Sequence, residues 1–340
     1  MHTSPMMRWL WPSLLMLVTL ASILSISIGP FTIGLGNTLS AVINWLTQTE
    51  LQTIAAHEQL IINNVRLPRT LLALCVGGIL AQCGAVMQGL FRNPLADPGI
   101  IGVSSGAALG AALCIVLLPH LAGFWVPICA FAGGMVTTLA VYRLASSPNG
   151  TSVVLLLLSG VAIAALAGAG IGVLTYLAND MALRDLTLWQ MGAIAGAQWH
   201  YVLLCAVTLG FISWQFNRDG KALNALLLGE AEARYLGIEV DKLKIRLITL
   251  CALGVGVSVA ATGIIGFIGL VVPHLVRMLI GPDHTRLLPI SAVLGAALLV
   301  LADIGARAIS PPAEVPVGLV TALIGAPFFI FLLLQQKNKL

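Results

Sequence analysis

The sequence predicts an all-α, polytopic integral membrane protein of about ten membrane-crossing helices with a weak inverted internal repeat. Three observations predict it. Of 340 residues, 59% are hydrophobic and only 9% are charged, whereas about a quarter of an ordinary soluble chain is charged. The mean hydropathy is +0.99. The apolar residues fall in runs of the ~20 residues that a helix needs to cross ~30 Å of hydrocarbon. The formal charge of +4, from 17 basic and 13 acidic residues, is too small to point to nucleic acid.

In chain order, the runs lie at 10–29, 67–91, 95–118, 124–145, 152–176, 200–216, 243–262, 264–281, 287–308 and 316–334. The first follows Arg8 as a secretory signal would, but it is long and lacks a small-x-small cleavage site, so it reads as a span. The run at 200–216 is short, and 264–281 is crowded with glycine and proline. No Ser- or Pro-rich linker divides the chain, so residues 1–340 read as one domain.

Lysine and arginine set the orientation. With the N-terminus inside, thirteen basic residues, among them Arg8, Arg92, Arg143, Lys244, Lys337 and Lys339, fall on the cytoplasmic side. Four, Arg66, Arg69, Arg184 and Arg307, fall outside, and both termini are then cytoplasmic. The largest inside loop runs from Asn217 to Arg246. Within it, Leu223, Leu226, Leu227, Ala231 and Leu236 follow helical spacing, interrupted by Gly229. That predicts two short helices over 221–237, a turn at Gly229 and a stop at Gly237.

The repeat is faint. Arg66-Leu67, an apolar run, Gly89-Leu90 and Asn93-Pro94 find counterparts in Arg246-Leu247, a second run, Gly269-Leu270 and Pro273. Leu109–Leu113 matches Leu294–Leu298. The shift is about 180 residues, and one copy starts outside while the other starts inside, as in many transporters.

The six cysteines lie in apolar runs with no C-x-x-C spacing, so they read as packing residues rather than a disulfide framework or metal site. No P-loop, H-E-x-x-H or nucleophile elbow is present. His274 is placed within a span and reads as a packed histidine bonded to a backbone carbonyl. Charges at membrane depth are costly and are usually functional or paired. Asp303 and Arg307, four apart, share a helix face. They form either a local ion pair or a device that presents Arg307 outward. Arg66 and Arg69 open a span on the side where arginines are few. They either snorkel to lipid phosphates or bind carboxylates of an external partner. Two segments look like breaks in helices: Arg92–Gly99, with Pro94 and Pro98, and Pro273, which disrupts its span. Non-helical backbone at membrane depth marks a cavity or pathway.

The most specific stretches are RLPRTLLALCVGG (66–78), GAVMQGLFRNPLADPGIIGVSSGAALG (84–110), LGEAEARYLGI (228–238), GFIGLVVPHLVRMLIGPDH (266–284) and LADIGARAISPPAEVPVGLVTALIGAPFFIFLL (301–333). Through them the chain resembles the permease subunits of type II ABC importers, which take up iron-siderophore complexes, haem and vitamin B12. The resemblance implies ten helices per subunit, a homodimer with its pore at the interface, and two cytoplasmic ATPase subunits. It implies that the chain is no enzyme: ATP and magnesium bind the partner ATPase, and the permease itself holds no cofactor or metal. ATPase docking maps to residues 221–238, with Gly229, Glu230, Ala231, Arg234, Leu236 and Gly237 on the motif. Arginines that grip a periplasmic binding protein map to Arg66, Arg69 and Arg307. Gate elements map to Asn93 and Leu95 and, where the sequence departs from the B12 pattern, to Thr151 and Ser152. The family works in the bacterial inner membrane. Residues 160–194 look most like the haem-importing branch, ahead of ferric siderophores and cobalamin. The rival readings fare worse. An ion-driven secondary transporter needs buried acids, and Asp303 alone sits well inside a span. An intramembrane enzyme needs a catalytic pair, and none is suitably spaced.

Overall fold

The computed structural model describes residues 5–29, 31, 33–47, 54–147, 150–309 and 313–337. Lys339, the chain ends and residues 310–312 of the last motif lie outside these residues.

The chain is helical almost throughout. The N-terminal part comprises α1 (Pro5–Ser27), α2 (Leu35–Thr47) and α3 (Ala56–Ile61). A π-helical turn, Ile62–Arg66, joins α3 to α4 (Leu67–Leu90) without a break. A loop and a 3-10 turn, Pro98–Ile101, lead into α5 (Val103–Leu117), and α6 (Ala122–Ala145) follows. A two-residue hairpin, β1 (Ser146–Ser147) with β2 (Gly150–Thr151), pairs Ser146 with Thr151 and delivers the chain to α7 (Val153–Leu177). Then come α8 (Asp180–Gln190), α9 (Trp199–Leu228), α10 (Glu230–Tyr235), α11 (Val240–Thr262), α12 (Ile268–Ile280), α13 (His284–Ala308) and α14 (Val317–Lys337).

Among the described residues seven helices are long and apolar enough to cross a membrane, and α5, α12 and α14 supply shorter apolar segments. Each expected span therefore has its helix. The shorter helices α2, α3 and α8 were not anticipated.

Helix α4 is the central post. It packs on α13, α9, α12 and α11. At its crossing with α13, a Cβ on Gly77 would lie 2.3 Å from the Gly295 carbonyl oxygen, and one on Gly295 would lie 2.5 Å from that of Gly77. Such close backbone approach is how membrane helices gain packing energy when lipid gives them no hydrophobic drive to associate.

The two halves of the chain mirror one another in packing. α4 lies against α13 as α11 lies against α6, and α4 and α11 meet at the centre. There Cys83 donates its thiol to the Cys251 carbonyl at 3.9 Å, and Cys251 donates to the Cys83 carbonyl at 3.7 Å. A reciprocal pair of this kind is what a local two-fold axis produces. The two residues are 168 apart. At nearly the same shift, Gly99-Ile-Ile-Gly-Val103 recurs as Gly266-Phe-Ile-Gly-Leu270, and each copy leads into the second helix of its half. The repeat is thus real but its register is shorter than the ~180 residues expected. The match of 109–113 to 294–298 pairs α5 with α13, the second helix of one half with the third of the other. Shared glycine and alanine content accounts for it.

Two further expectations need correction. The first short helix predicted for 221–237 is the end of α9, which runs unbroken to Leu228 because Leu223 and Leu226 remain buried along the same face. Nor does Pro273 break its helix, since it lies inside α12, where its ring costs one hydrogen bond. The break precedes it at residues 263–267, where Gly263 (φ +69°) and Phe267 (φ +67°) adopt left-handed backbone. The loop after α4 is irregular as expected, and Arg92 also has positive φ.

Candidate functional site

Two clusters of charge stand at opposite ends of the helix bundle. The first gathers where α1 and α13 end and α4 begins. Arg69 Nε donates to both carboxylate oxygens of Asp303 at 3.1 and 3.0 Å, and Nη2 donates to Oδ1 at 2.8 Å. Its Nη1 reaches Glu314 Oε2 at 2.7 Å. Arg307, one helical turn beyond Asp303, completes the pair at 3.1 Å. Asp303 is wholly buried, and the three arginines are nearly so at 4–6% exposure.

The remaining guanidinium donors account for the end of α1. A helix leaves its last four carbonyls without intrahelical partners. Leu24 is satisfied by the Ile28 N–H. Arg307 donates to the carbonyls of Ser25 (2.9 Å) and Ile28 (2.8 Å), and Arg66 to those of Ile26 (2.7 Å), Ser27 (2.8 Å) and Phe31. Ser25 Oγ accepts from Arg307 and bonds Thr70 of α4. Three guanidiniums against two carboxylates leave one positive charge, placed at the negative pole of α1. The outward-presented Arg307 of one reading is therefore not what the structure holds, because this side chain is turned inward onto α1. Sequence reasoning found Arg66, Arg69, Asp303 and Arg307 but missed Ser25, Glu314 and the helix end that they serve.

The second cluster lies where α9 ends and α11 begins. Gly229 (φ +137°) and Gly237 (φ +83°) bracket the six-residue α10. Ala231 and Leu236 are exposed, as is Tyr235 beside them, so α10 offers an apolar and aromatic face. Arg234 bonds Asp241 at 3.2 Å and comes within 4.0 Å of Glu230. Glu230 Oε1 lies 2.6 Å from the ammonium of Lys244, which is 1% exposed and also donates to the Thr151 carbonyl at 2.8 Å. Nearby, Asn224 of α9 donates to Asp283 at 2.7 Å and accepts from the His284 backbone at 2.8 Å. Burial pushes the Asp283 carboxyl up, but the bonds from Asn224 and Thr285, helped by the Arg286 charge, outweigh it and hold the group below the usual carboxylate range.

The gate candidates also fall at this end. Asn93 is exposed in the loop after α4, with its Oδ1 accepting from the N–H of half-buried Leu95 at 2.9 Å. Thr151 is buried in β2, and Ser152 caps α7 by accepting from the Leu155 N–H at 3.4 Å. The 3-10 turn that follows Leu95 packs on α7, where a Cβ on Gly160 would come within 1.9 Å of the Ile100 carbonyl oxygen. His274 Nδ1 is buried without a hydrogen-bond partner among the described residues, so the expected carbonyl bond is not made.

Residues 16–335 match the FecCD transport family. The chain belongs to that family. As a FecCD permease it is 48% identical over 280 residues to the hemin transport system permease protein HmuU of Yersinia pestis, covering 81% of this chain and 84% of that protein. It is 44% identical over 281 residues to the cobalamin import system permease protein BtuC of Halobacterium salinarum, covering 83% and 75%. The FecCD fold is also that of a solved metal-chelate type ABC transporter assigned an inward-facing conformation, at a TM-score of 0.84 and 34% identity over 96% of this chain and 99% of that one. The FecCD chain is thus a multi-pass membrane permease of the ABC transporter class.

Proposed function

We propose that this permease imports haem across the bacterial inner membrane, as a homodimer driven by two cytoplasmic ATPase subunits and fed by a periplasmic binding protein. One observation supports haem above the alternatives: the 48% identity to a hemin permease over 280 residues exceeds the 44% to a cobalamin permease over 281. Cobalamin is the competing cargo, and ferric siderophores share the chemistry of a large chelated metal. The chain performs no catalysis. ATP and magnesium bind the ATPase partners.

The two charged clusters divide the work. Arg66, Arg69 and Arg307 form the docking end, where Arg69 receives a carboxylate of the binding protein and the inward-turned Arg66 and Arg307 hold the end of α1 beside it. Glu314, about a third exposed and bonded to Arg69, supports this reading as an internal carboxylate on the same guanidinium, and an incoming glutamate takes its place. At the other end Gly229, Glu230, Ala231, Arg234, Leu236 and Gly237 present α10 to the ATPase, and both termini lie on that cytoplasmic side. Asn93 and Leu95, with Thr151 and Ser152, close the pathway.

The test is reconstitution of the chain with its ATPase and binding protein in liposomes, with ATP-dependent uptake of labelled haem, a ferric siderophore and cobalamin measured in parallel. Haem uptake that needs ATP and is abolished by Arg66→Glu/Arg69→Glu is the expected result. Uptake of cobalamin or siderophore alone overturns the cargo and keeps the importer. Transport driven by an ion gradient without ATP overturns the importer.

A further inference from the structure

Lys244 is a lysine without solvent. Its side chain is 2% exposed, and an ammonium taken that far from water costs several kcal/mol unless it is well paired. Both of its partners belong to other elements: Glu230 on α10 at 2.6 Å and the Thr151 carbonyl in β2 at 2.8 Å. An ammonium has three donors, so it can hold a carboxylate and a carbonyl at once. A second path runs beside the first. Arg234 of α10 bonds Asp241 of α11 at 3.2 Å, and Asp241 Oδ1 accepts from the Thr151 N–H at 3.4 Å. The Thr151 peptide groups are therefore held on both sides by α11 residues that are themselves held by α10. The next residue, Ser152, caps α7.

α10 is only six residues long, and α7 is the least buried of the seven long apolar helices among the described residues. α10 hangs between two glycines with positive φ, which serve as hinges because no Cβ restricts them. α7 is 17% buried within the chain.

We infer that Lys244 is a positioning residue that ties α10 to the first turn of α7, so that a push on α10 is delivered directly to α7. The inference rests on the importer reading above. It deepens that reading by naming the link between the ATPase contact and the pathway. The link is an ion rather than an apolar side chain because only a multiple donor grips both Glu230 and a main-chain oxygen.

The experiment uses the full complex in liposomes and reads cargo taken up per ATP hydrolysed. Lys244→Met should hydrolyse ATP while uptake per ATP falls on the order of tenfold. The exchange Glu230→Lys/Lys244→Glu restores the ion pair, but a carboxylate cannot donate to the Thr151 carbonyl. This variant should recover the thermal stability of the wild type in detergent and remain uncoupled, which a purely structural pair would not do. Wild-type uptake per ATP in either folded variant overturns the inference. Failure of the wild type to transport with ATP overturns the importer reading instead. Should neither variant fold, spin labels at the exposed Tyr235 and Ser147 of the otherwise unchanged complex decide. A separation that is constant with and without ATP supports the tie, and one that changes overturns it.

Discussion

Asp303 at one end of the bundle and Lys244 at the other are each buried among partners of opposite character, and the two do different things. Asp303 sits between two guanidiniums and joins α4 to α13, helices that already pack backbone to backbone at Gly77 and Gly295. Lys244 joins a six-residue helix to a two-residue strand. Neither of those elements could hold its place by apolar packing alone. The same electrostatics braces two closely packed helices at one end and links a short helix to a hairpin strand at the other. What differs is how much other packing the joined elements have.

Three substitutions sharpen this contrast. Asp303→Ala should have the largest effect, because it strands two buried guanidiniums with Glu314 as their one remaining carboxylate. It should cost about 3–5 kcal/mol, read as a lowered thermal midpoint in detergent. A loss below ~1 kcal/mol would show that this end is no clamp. Glu314→Gln keeps the shape and weakens one bond to Arg69 at a partly exposed site, so about 1 kcal/mol is expected. The same change removes an internal competitor for Arg69. Surface plasmon resonance should therefore record tighter association with the binding protein, and weaker association would refute the exchange of carboxylates. Arg234→Ala should be smallest. Its side chain is 49% exposed, and such pairs contribute about 0–1 kcal/mol. A larger loss of stability would make the inner cluster a clamp like the outer one.

The long spans were legible because a lipid-crossing helix announces itself by length and hydropathy. What escaped detection was shorter or amphipathic. In α2 the buried residues Thr38, Ala41 and Asn44 recur every three positions, a helical stripe too polar for a hydropathy window. In α8 the stripe is only Ala182 and Leu186. The arginines and Asp303 stood out as charges in the wrong place, yet their partners did not. Ser25 and the carbonyls of α1 carry no sequence signal, and Glu314 falls between two expected spans, where a charge is ordinary. Lys244 was legible and was passed over. Val240, Leu243, Leu247 and Ile248 form the buried stripe of α11, and Lys244 falls within it, whereas counting it among cytoplasmic charges hid that position. The repeat was visible at the wrong register because glycine and alanine match each other by chance throughout membrane helices.

The crossed thiols of Cys83 and Cys251 have a consequence for how such a chain can change over generations. Each thiol reaches the other residue's carbonyl across the axis, so enlarging one presses on the other. Positions 83 and 251 should therefore accept change better as a pair than singly, a larger side chain at one offset by a smaller one at the other.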